Sequence, residues 1–164
     1  MARPNVFTDE LEEFPEEAGF KGSYAPVGMA AGAKRLGGTV YVLEPGCTPF
    51  PYHFHRANEE LLVVLSGRPS VRTPEGEREL PEGSVVGFRP GPAGGHQVIN
   101  RSDQPVRYVM FSTKRSPEMV QYPDSGKVGI ATFPHEGDEG PGPVRFLFKI
   151  DSAVGYYDDE EAPS

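Results

Sequence analysis

The sequence predicts an all-β protein, folded as an antiparallel sandwich or barrel. Glycine (20 residues) and proline (18 residues) are both abundant, so turns interrupt the chain often. Few stretches are long or periodic enough for a helix, whereas short, β-branched segments recur at regular intervals. The 164 residues, 37% of them hydrophobic, suit one compact domain with its own core.

The predicted strands are short and separated by turn residues. They cover residues 36–44, 52–55, 60–65, 84–88, 96–100, 106–112, 127–133 and 145–150, with a further hairpin around the turn at 74–77. Residues 134–143, rich in Gly, Pro and acidic side chains, are predicted to form an exposed loop.

We divide the chain into three parts. Residues 1–28 are predicted to form an N-terminal arm, with one helical turn near residues 8–13 capped by Thr8. Residues 29–116 are predicted to form the barrel core. Residues 117–164, here called the C-terminal extension, are predicted to add strands that pack on the barrel.

Composition excludes several classes of protein. The net charge of −8, from 24 acidic and 16 basic side chains, is the opposite of what a nucleic-acid binder needs. No run approaches the roughly 20 apolar residues of a membrane span. The single cysteine, Cys47, cannot form an intramolecular disulfide, and the N-terminus resembles no signal peptide, so we expect a cytoplasmic protein.

The strand that follows Glu60 is apolar on both faces. If Glu60, Leu62 and Val64 face the barrel interior, then Leu61, Val63 and Leu65 face outward and must also be covered. A second sheet or another subunit would cover them. We therefore predict a homodimer.

Two histidines at strand spacing precede this strand. His53 and His55 point to the same face of one strand, and Glu60 needs only a neighbouring strand to reach the same place. His96, later in the chain, could complete the set. Neutral imidazoles and a carboxylate together suit a divalent first-row transition metal.

These residues resemble the two motifs of the cupin family. The first motif is matched by Gly46, His53-Phe-His55, Glu60 and Gly67, with a spacer after Gly46 one residue longer than usual. The motif places three or four residues between its second histidine and its glutamate, so both Glu59 and Glu60 fit. Only Glu60 leaves six residues before Gly67. The second motif is matched by Gly83, the loop 89–95, His96 and Asn100, and its glycine-to-histidine stretch is two residues longer than usual.

The resemblance covers residues 36–113, about half the chain. It implies a double-stranded β-helix, the jelly-roll barrel of the cupins, with one metal ion held by His53, His55, Glu60 and His96. The metal would be Mn, Fe, Ni, Co or Zn, with positions left open for water or substrate.

Other residues carry weaker signals. Asn100 and Cys47 are interpreted as structural and His135 as no ligand. Four apolar or aromatic residues could line a pocket or belong to the core: Phe50, Tyr52, Phe88 and Met110. Arg89 and Arg107 are candidates for binding an anionic substrate group, although both could simply be solvated.

The family does not fix a reaction. We expect a metal-dependent enzyme acting on a sugar, an organic acid or an aromatic metabolite, of isomerase, decarboxylase or dioxygenase type. No separate catalytic acid or base stands out. The alternative is a non-catalytic cupin that binds a small ligand.

Overall fold

Regular structure in this chain is almost entirely β. A computed structural model describes residues 4–132 and 144–161. Its strands are β1 (Glu12–Glu13), β2 (Ser23–Ala25), β3 (Leu36–Leu43), β4 (Phe54–His55), β5 (Glu60–Ser66), β6 (Ser70–Thr73), β7 (Gly76–Glu79), β8 (Val85–Phe88), β9 (Gln97–Ile99), β10 (Val106–Thr113), β11 (Glu118–Tyr122), β12 (Lys127–Ala131) and β13 (Arg145–Lys149). The helices in the described ranges are the one-turn α1 (Val27–Ala30) and three 3₁₀ turns, Pro92–Gly94, Pro123–Ser125 and Ile150–Ser152. The all-β prediction is confirmed, and none of these helices is long and apolar enough to cross a membrane.

The strands in the described ranges form three antiparallel sheets. The largest has the order β1-β2-β3-β10-β5-β8, the second β13-β12-β11-β4 and the third β7-β6-β9. The core lies between the first and third sheets, because its buried side chains come from both. Its members include Leu43, Leu62, Val64, Val71, Val98, Val106 and Tyr108. The burial of Leu62 and Val64, at 0% and 1% exposed, confirms the predicted inward face of β5.

The glycine that ends the first motif is required by its position. Gly67 has φ of 76°, in the left-handed region that favours glycine. A Cβ at this position would also lie 2.8 Å from the carbonyl oxygen of Pro105. The turn that follows β5 therefore has no room for a side chain.

The N-terminal segment covers much of the outer face of β5. Val63 and Leu65 belong to an outer apolar cluster. The cluster consists of Val6, Leu11, Ala25, Val27, Val40, Val63, Leu65, Val109 and Phe111. Arg107 fixes the segment by donating hydrogen bonds to the carbonyl oxygens of Val6 (3.2 Å) and Thr8 (2.9 Å). This cover comes from the same chain, whereas Leu61 remains 41% exposed.

The predicted helical turn near residues 8–13 is wrong. The Thr8 hydroxyl accepts a hydrogen bond from the Glu10 backbone N–H (3.1 Å), but the chain then enters β1. Glu12 pairs with Tyr24 of β2, whose hydroxyl donates to the Glu12 carboxylate at 2.7 Å. Strand pairing therefore overrides the local capping signal.

The C-terminal extension begins with a strand that was not predicted. β11 pairs with both β4 and β12, so it joins the extension to the strand that carries His55. Arg72 of β6 adds a second link through two hydrogen bonds to Asp124, at 2.6 and 2.9 Å. The predicted strands at 127–133 and 145–150 are found as β12 and β13, with Phe133 outside the described residues. The predicted loop at 134–143, with His135, also lies outside them.

Candidate metal centre

Three histidines and one glutamate meet where β4, β5 and the start of β9 come together. His53 and His96 face each other across an antiparallel bridge. The backbone N–H of His53 donates to the carbonyl of His96 (3.1 Å), and the N–H of His96 donates back (2.8 Å). His55 lies on β4 and Glu60 begins β5. The two-residue spacing of His53 and His55 directs both rings to the same side of the chain.

The side chains converge on one carboxylate oxygen. Glu60 Oε2 lies 3.1 Å from His96 Nε2 and 3.3 Å from His55 Nε2. His53, Glu60 and His96 each offer a ligand atom, and these three atoms lie within 4.8 Å of one another. The ring centroids of His53 and His55 are 5.2 Å apart. The structure therefore places three of the four predicted ligands, His53, Glu60 and His96, close to one another, and His55 adjoins this set through Glu60.

Two of the imidazole rings are oriented by backbone carbonyls. His53 Nδ1 lies 2.8 Å from the carbonyl oxygen of Pro51, and His96 Nδ1 lies 3.0 Å from that of Gly94. A carbonyl oxygen can only accept, so each Nδ1 carries the proton. The neutral form of each ring then has its lone pair on Nε2, the atom that a metal would bind.

The third ring lies between two carboxylates. His55 Nε2 faces Glu60, whereas His55 Nδ1 lies 3.5 Å from Oε2 of Glu118. Glu118 belongs to β11 and is only 2% exposed. Sequence reasoning missed Glu118, because its strand was not predicted and a lone glutamate carries no motif.

The surroundings shift the pKa values of the proposed ligand groups in different directions. Burial, and then the neighbouring His96, lower the pKa of His53 to about 4, so its ring is neutral at neutral pH. Burial would also lower the pKa of His55, but Glu118 and Glu60 outweigh it and raise that pKa to about 9, so without a metal this ring is protonated at neutral pH and a metal would displace its Nε2 proton. Burial opposes ionisation of Glu60, yet the imidazoles of His55 and His96 hold the pKa of its carboxyl well below the usual range.

The residues fit a divalent cation. Among the residues that the structure describes, Glu60 Oε2 has no hydrogen-bond partner although it is buried, and two imidazole nitrogens lie within 3.3 Å of it. A neutral His96 would turn its Nε2 lone pair towards this negatively charged oxygen, which is unfavourable unless a cation lies between them. A metal ion bound by both atoms removes this repulsion and satisfies the carboxylate.

A cavity of about 360 Å³ opens beside the cluster, between the barrel and the C-terminal extension. Its walls include Tyr41, Phe50, His53, His55, Glu60, Lys114, Glu118, Tyr122, Ile130 and Arg145. The extension thus supplies much of the wall, through β11, β12 and the first residue of β13. Sequence reasoning named Phe50 but missed Tyr41, Lys114, Tyr122 and Arg145, since a strand pattern alone does not reveal which residues face a cavity.

The other aromatic and apolar candidates do not line this cavity. Phe88 stacks on the His96 ring at a centroid distance of 3.9 Å. Tyr52 lies beneath the Arg72 guanidinium, which is 4.3 Å from its ring centroid. Met110 packs against the core.

Neither of the candidate anion-binding arginines lies in the cavity. Arg107 binds the N-terminal segment, and Arg89 is exposed elsewhere. The structural interpretations of Asn100 and Cys47 agree with the structure. Asn100 is fully buried and donates to the carbonyls of Leu43 and Gln104, both at 2.8 Å. Cys47 is buried and 3% exposed.

Comparison with known proteins agrees with this fold. Residues 39–112 match the family model of the cupin domain. A putative sugar phosphate isomerase from Acidithiobacillus ferrooxidans has a similar structure, with a TM-score of 0.76, 20% identity and 94% of each chain covered. A sugar phosphate isomerase of the cupin superfamily from Silicibacter pomeroyi gives a TM-score of 0.74 and 22% identity, over 94% of this chain and 98% of the other.

A more distant likeness is to the polyketide cyclase RemF from Streptomyces resistomycificus, with a TM-score of 0.58 and 22% identity over 72% of this chain and 83% of the other. No curated protein matches the chain. At these identities the structural likenesses establish the fold, which is the double-stranded β-helix. Within this fold, residues 39–112 match the cupin domain.

Proposed function

We propose that this protein binds one divalent transition metal through Nε2 of His53, His55 and His96 and the carboxylate of Glu60. Manganese, iron, nickel, cobalt and zinc all suit this donor set. The observation that carries the proposal is the buried Glu60 oxygen, which lacks a hydrogen-bond partner and faces two imidazole nitrogens. The carbonyl oxygens of Pro51 and Gly94 support the proposal. They accept the Nδ1 protons of His53 and His96, respectively, and so leave Nε2 of each ring free for the metal.

We further propose an enzyme that acts on a small metabolite in the adjoining cavity. A volume of about 360 Å³ falls within the range of small-molecule sites. When bound, the metal would act as a Lewis acid on a substrate carbonyl or hydroxyl, or, if it is iron, would activate dioxygen. Isomerase, decarboxylase and dioxygenase chemistry are all compatible with this donor set.

The cavity walls favour a substrate with an acidic group. Lys114 and Arg145 both line the cavity and are suited to a carboxylate or phosphate. Tyr41 offers a donor on the same wall. Burial, and then nearby Glu60, raise the pKa of Tyr41 to about 12, so its hydroxyl remains protonated. A sugar phosphate or an organic acid therefore fits better than a neutral aromatic metabolite, and the two isomerase-like structures agree with this choice.

Assembly and location form a separate part of the proposal. We propose a cytoplasmic homodimer, in which a second copy covers apolar residues that this chain leaves exposed. Leu61 on β5 is one such residue, and Phe146 and Leu147 on the edge strand β13 are 62% and 49% exposed. Light scattering that gives only the monomer mass at micromolar concentration would contradict the dimer.

Metal analysis of protein made without a polyhistidine tag tests the metal centre. Near-stoichiometric metal is expected in the wild type, with loss in His53→Ala and His96→Ala. The matched control is His135→Ala, which removes the fourth histidine of the chain and should retain metal. Full metal content in either site variant would overturn that ligand assignment. If the metal-loaded protein turns over no sugar phosphate or organic acid, the non-catalytic, ligand-binding alternative replaces the enzyme.

A further inference from the structure

We propose that Glu118 is a positioning residue of the metal centre, which orients the His55 ring and holds the connector between His55 and Glu60. Glu118 lies on β11, beyond the residues that match the cupin domain. The inference rests on the proposed metal binding, and it makes the C-terminal extension part of the metal centre.

Glu118 faces the side of His55 that is turned away from Glu60. Its Oε2 lies 3.5 Å from His55 Nδ1, and His55 Nδ1 is buried without a hydrogen bond of normal length. A shift of about 0.5 Å would bring the two atoms into hydrogen-bonding range. Once a metal displaces the Nε2 proton, an Nδ1–H directed at Glu118 leaves the Nε2 lone pair of His55 facing the metal beside Glu60, as the proposed coordination requires.

His55 differs from the other two histidines in the charge of its acceptor. Nδ1 of His53 and Nδ1 of His96 face neutral carbonyls, whereas Nδ1 of His55 faces a carboxylate. A carboxylate bonded to the far nitrogen makes an imidazole a stronger electron donor to a metal and restricts its rotation. Of the three rings, His55 should therefore be the one whose coordination depends most on its outer partner.

The same carboxylate holds the backbone between two ligands. Glu118 accepts hydrogen bonds from the N–H groups of Arg56 (3.2 Å) and Ala57 (3.2 Å) and from the side-chain amide of Asn58. Asn58 in turn accepts from the Arg115 N–H at 2.6 Å. Arg56, Ala57 and Asn58 lie in the connector from β4 to β5, so Glu118 restricts how far His55 and Glu60 can move relative to each other.

This set of contacts explains why a charged side chain is buried here. Burying a carboxylate is costly unless donors surround it. Glu118 meets this requirement with backbone donors and an amide, and the His55 ring lies 3.5 Å away. Burial would raise the pKa of Glu118, but His55 and the donors outweigh burial and lower it. A neutral side chain could hold the connector, whereas only a carboxylate gives His55 a charged acceptor.

The test uses cobalt(II) as the probe, together with Glu118→Gln, which keeps the size and one acceptor oxygen. Cobalt should bind about 10- to 100-fold more weakly to this variant than to the wild type. Gln121→Ala is the matched control. Gln121 lies on the same strand and accepts from the Arg56 side chain at 2.7 Å, but it makes no ion pair with His55. The control should bind cobalt as tightly as the wild type.

Proton NMR of the cobalt-loaded protein separates positioning from general support. The wild type should show three exchangeable, paramagnetically shifted imidazole N–H signals, one of which disappears in His55→Ala. In Glu118→Gln that same signal should move or be lost, with the other two unchanged. Wild-type cobalt affinity together with three unmoved signals would overturn the inference and leave metal binding intact.

The wild type alone still tests the inference if Glu118→Gln does not fold. The His55 N–H should then exchange with solvent slowly, because Glu118 is buried and accepts from it. A cobalt-loaded wild type with no such third signal would overturn the inference. Failure of the wild type to bind any cobalt would instead overturn the proposed function.

Discussion

Glu60 Oε2 lies 3.1 Å from His96 Nε2, while Nδ1 of the same ring is held by the carbonyl oxygen of Gly94 at 3.0 Å. The carbonyl fixes the proton on Nδ1, so a neutral His96 directs a lone pair at a buried carboxylate. With the ring neutral, this contact is favourable only if a cation lies between the two atoms, whereas a protonated His96 would form an ion pair with Glu60. The proposed metal centre depends on this relationship more than on the number of histidines.

Replacing Glu60 should abolish metal-dependent stabilisation. A metal that binds only the folded protein adds about 2.7 kcal/mol at one hundred times its Kd, which should raise Tm by about 5–10 °C. Glu60→Gln removes the charge that offsets the cation and should show no such rise. Scanning calorimetry with added zinc or manganese measures the rise in Tm of the wild type and of the variant.

The neighbouring glutamate provides the control for this experiment. Glu59 is exposed, and its side chain lies outside the cluster. Glu59→Gln should therefore keep the full rise in Tm. A reversed result, with stabilisation lost in the Glu59 variant alone, would show that the wrong glutamate had been assigned.

Adjacent leucines on β5 should differ sharply in their contribution to stability. Leu62 is 0% exposed in the core, so Leu62→Ala should lower the free energy of unfolding by about 2–5 kcal/mol. Leu61 is 41% exposed, and Leu61→Ala should cost less than about 1 kcal/mol in the monomer. Denaturant unfolding measures both. Equal losses would contradict the strand register.

The cations of the cavity should select charged ligands. Removing one charge-assisted hydrogen bond costs roughly 1.5–3 kcal/mol, so Lys114→Met should weaken binding of a phosphate-bearing ligand about tenfold or more. Binding of a neutral sugar of the same size should change little. The control is Arg78→Met, on the exposed strand β7 and outside this cavity. Titration calorimetry on the metal-loaded protein gives the affinities, and equal effects on both ligands would argue against an acidic substrate.

The link between Arg72 and Asp124 should depend on pH. Arg72 lowers the pKa of Asp124 from its ordinary value of 3.8, so the pair contributes stability above that pH and loses it as the pH falls through the lowered value. Both side chains are partly exposed, which limits the contribution to less than about 1 kcal/mol. Asp124→Asn should therefore be slightly destabilising at neutral pH, and the difference should vanish once the pH falls below the lowered pKa of Asp124. Urea unfolding of the wild type and the variant, from neutral to acidic pH, measures this difference in stability. A difference that does not change with pH would rule out the ion pair as its cause.

Much of the barrel could be predicted because its strands carry local signals. The segment that became β5 alternates between core and outer positions, and turns containing Gly or Pro mark the ends of its neighbours. The ligand cluster was also accessible, since His53 and His55 share a strand face and Glu60 heads the next strand. The sequence could not show what covers the outer face, because Val6 and Leu11 join the cluster of Val63 and Leu65 only when distant segments pack together.

Strand β11 shows most clearly which part of the structure could not be predicted from the sequence. Glu118 to Tyr122 lies between two prolines and has no simple alternation, so its strand conformation comes from pairing with β4 and β12. Glu118 consequently looks like any surface glutamate in the sequence. Its burial next to His55 exists only after the extension has docked on the barrel.

The most direct test of the metal centre is anomalous diffraction from crystals of the untagged protein grown with zinc. We predict one strong anomalous peak about 2.0–2.2 Å from Nε2 of His53, His55 and His96 and from a carboxylate oxygen of Glu60. A peak on Nδ1 of any of these rings, or the absence of a peak at the cluster when zinc is bound elsewhere, would contradict it.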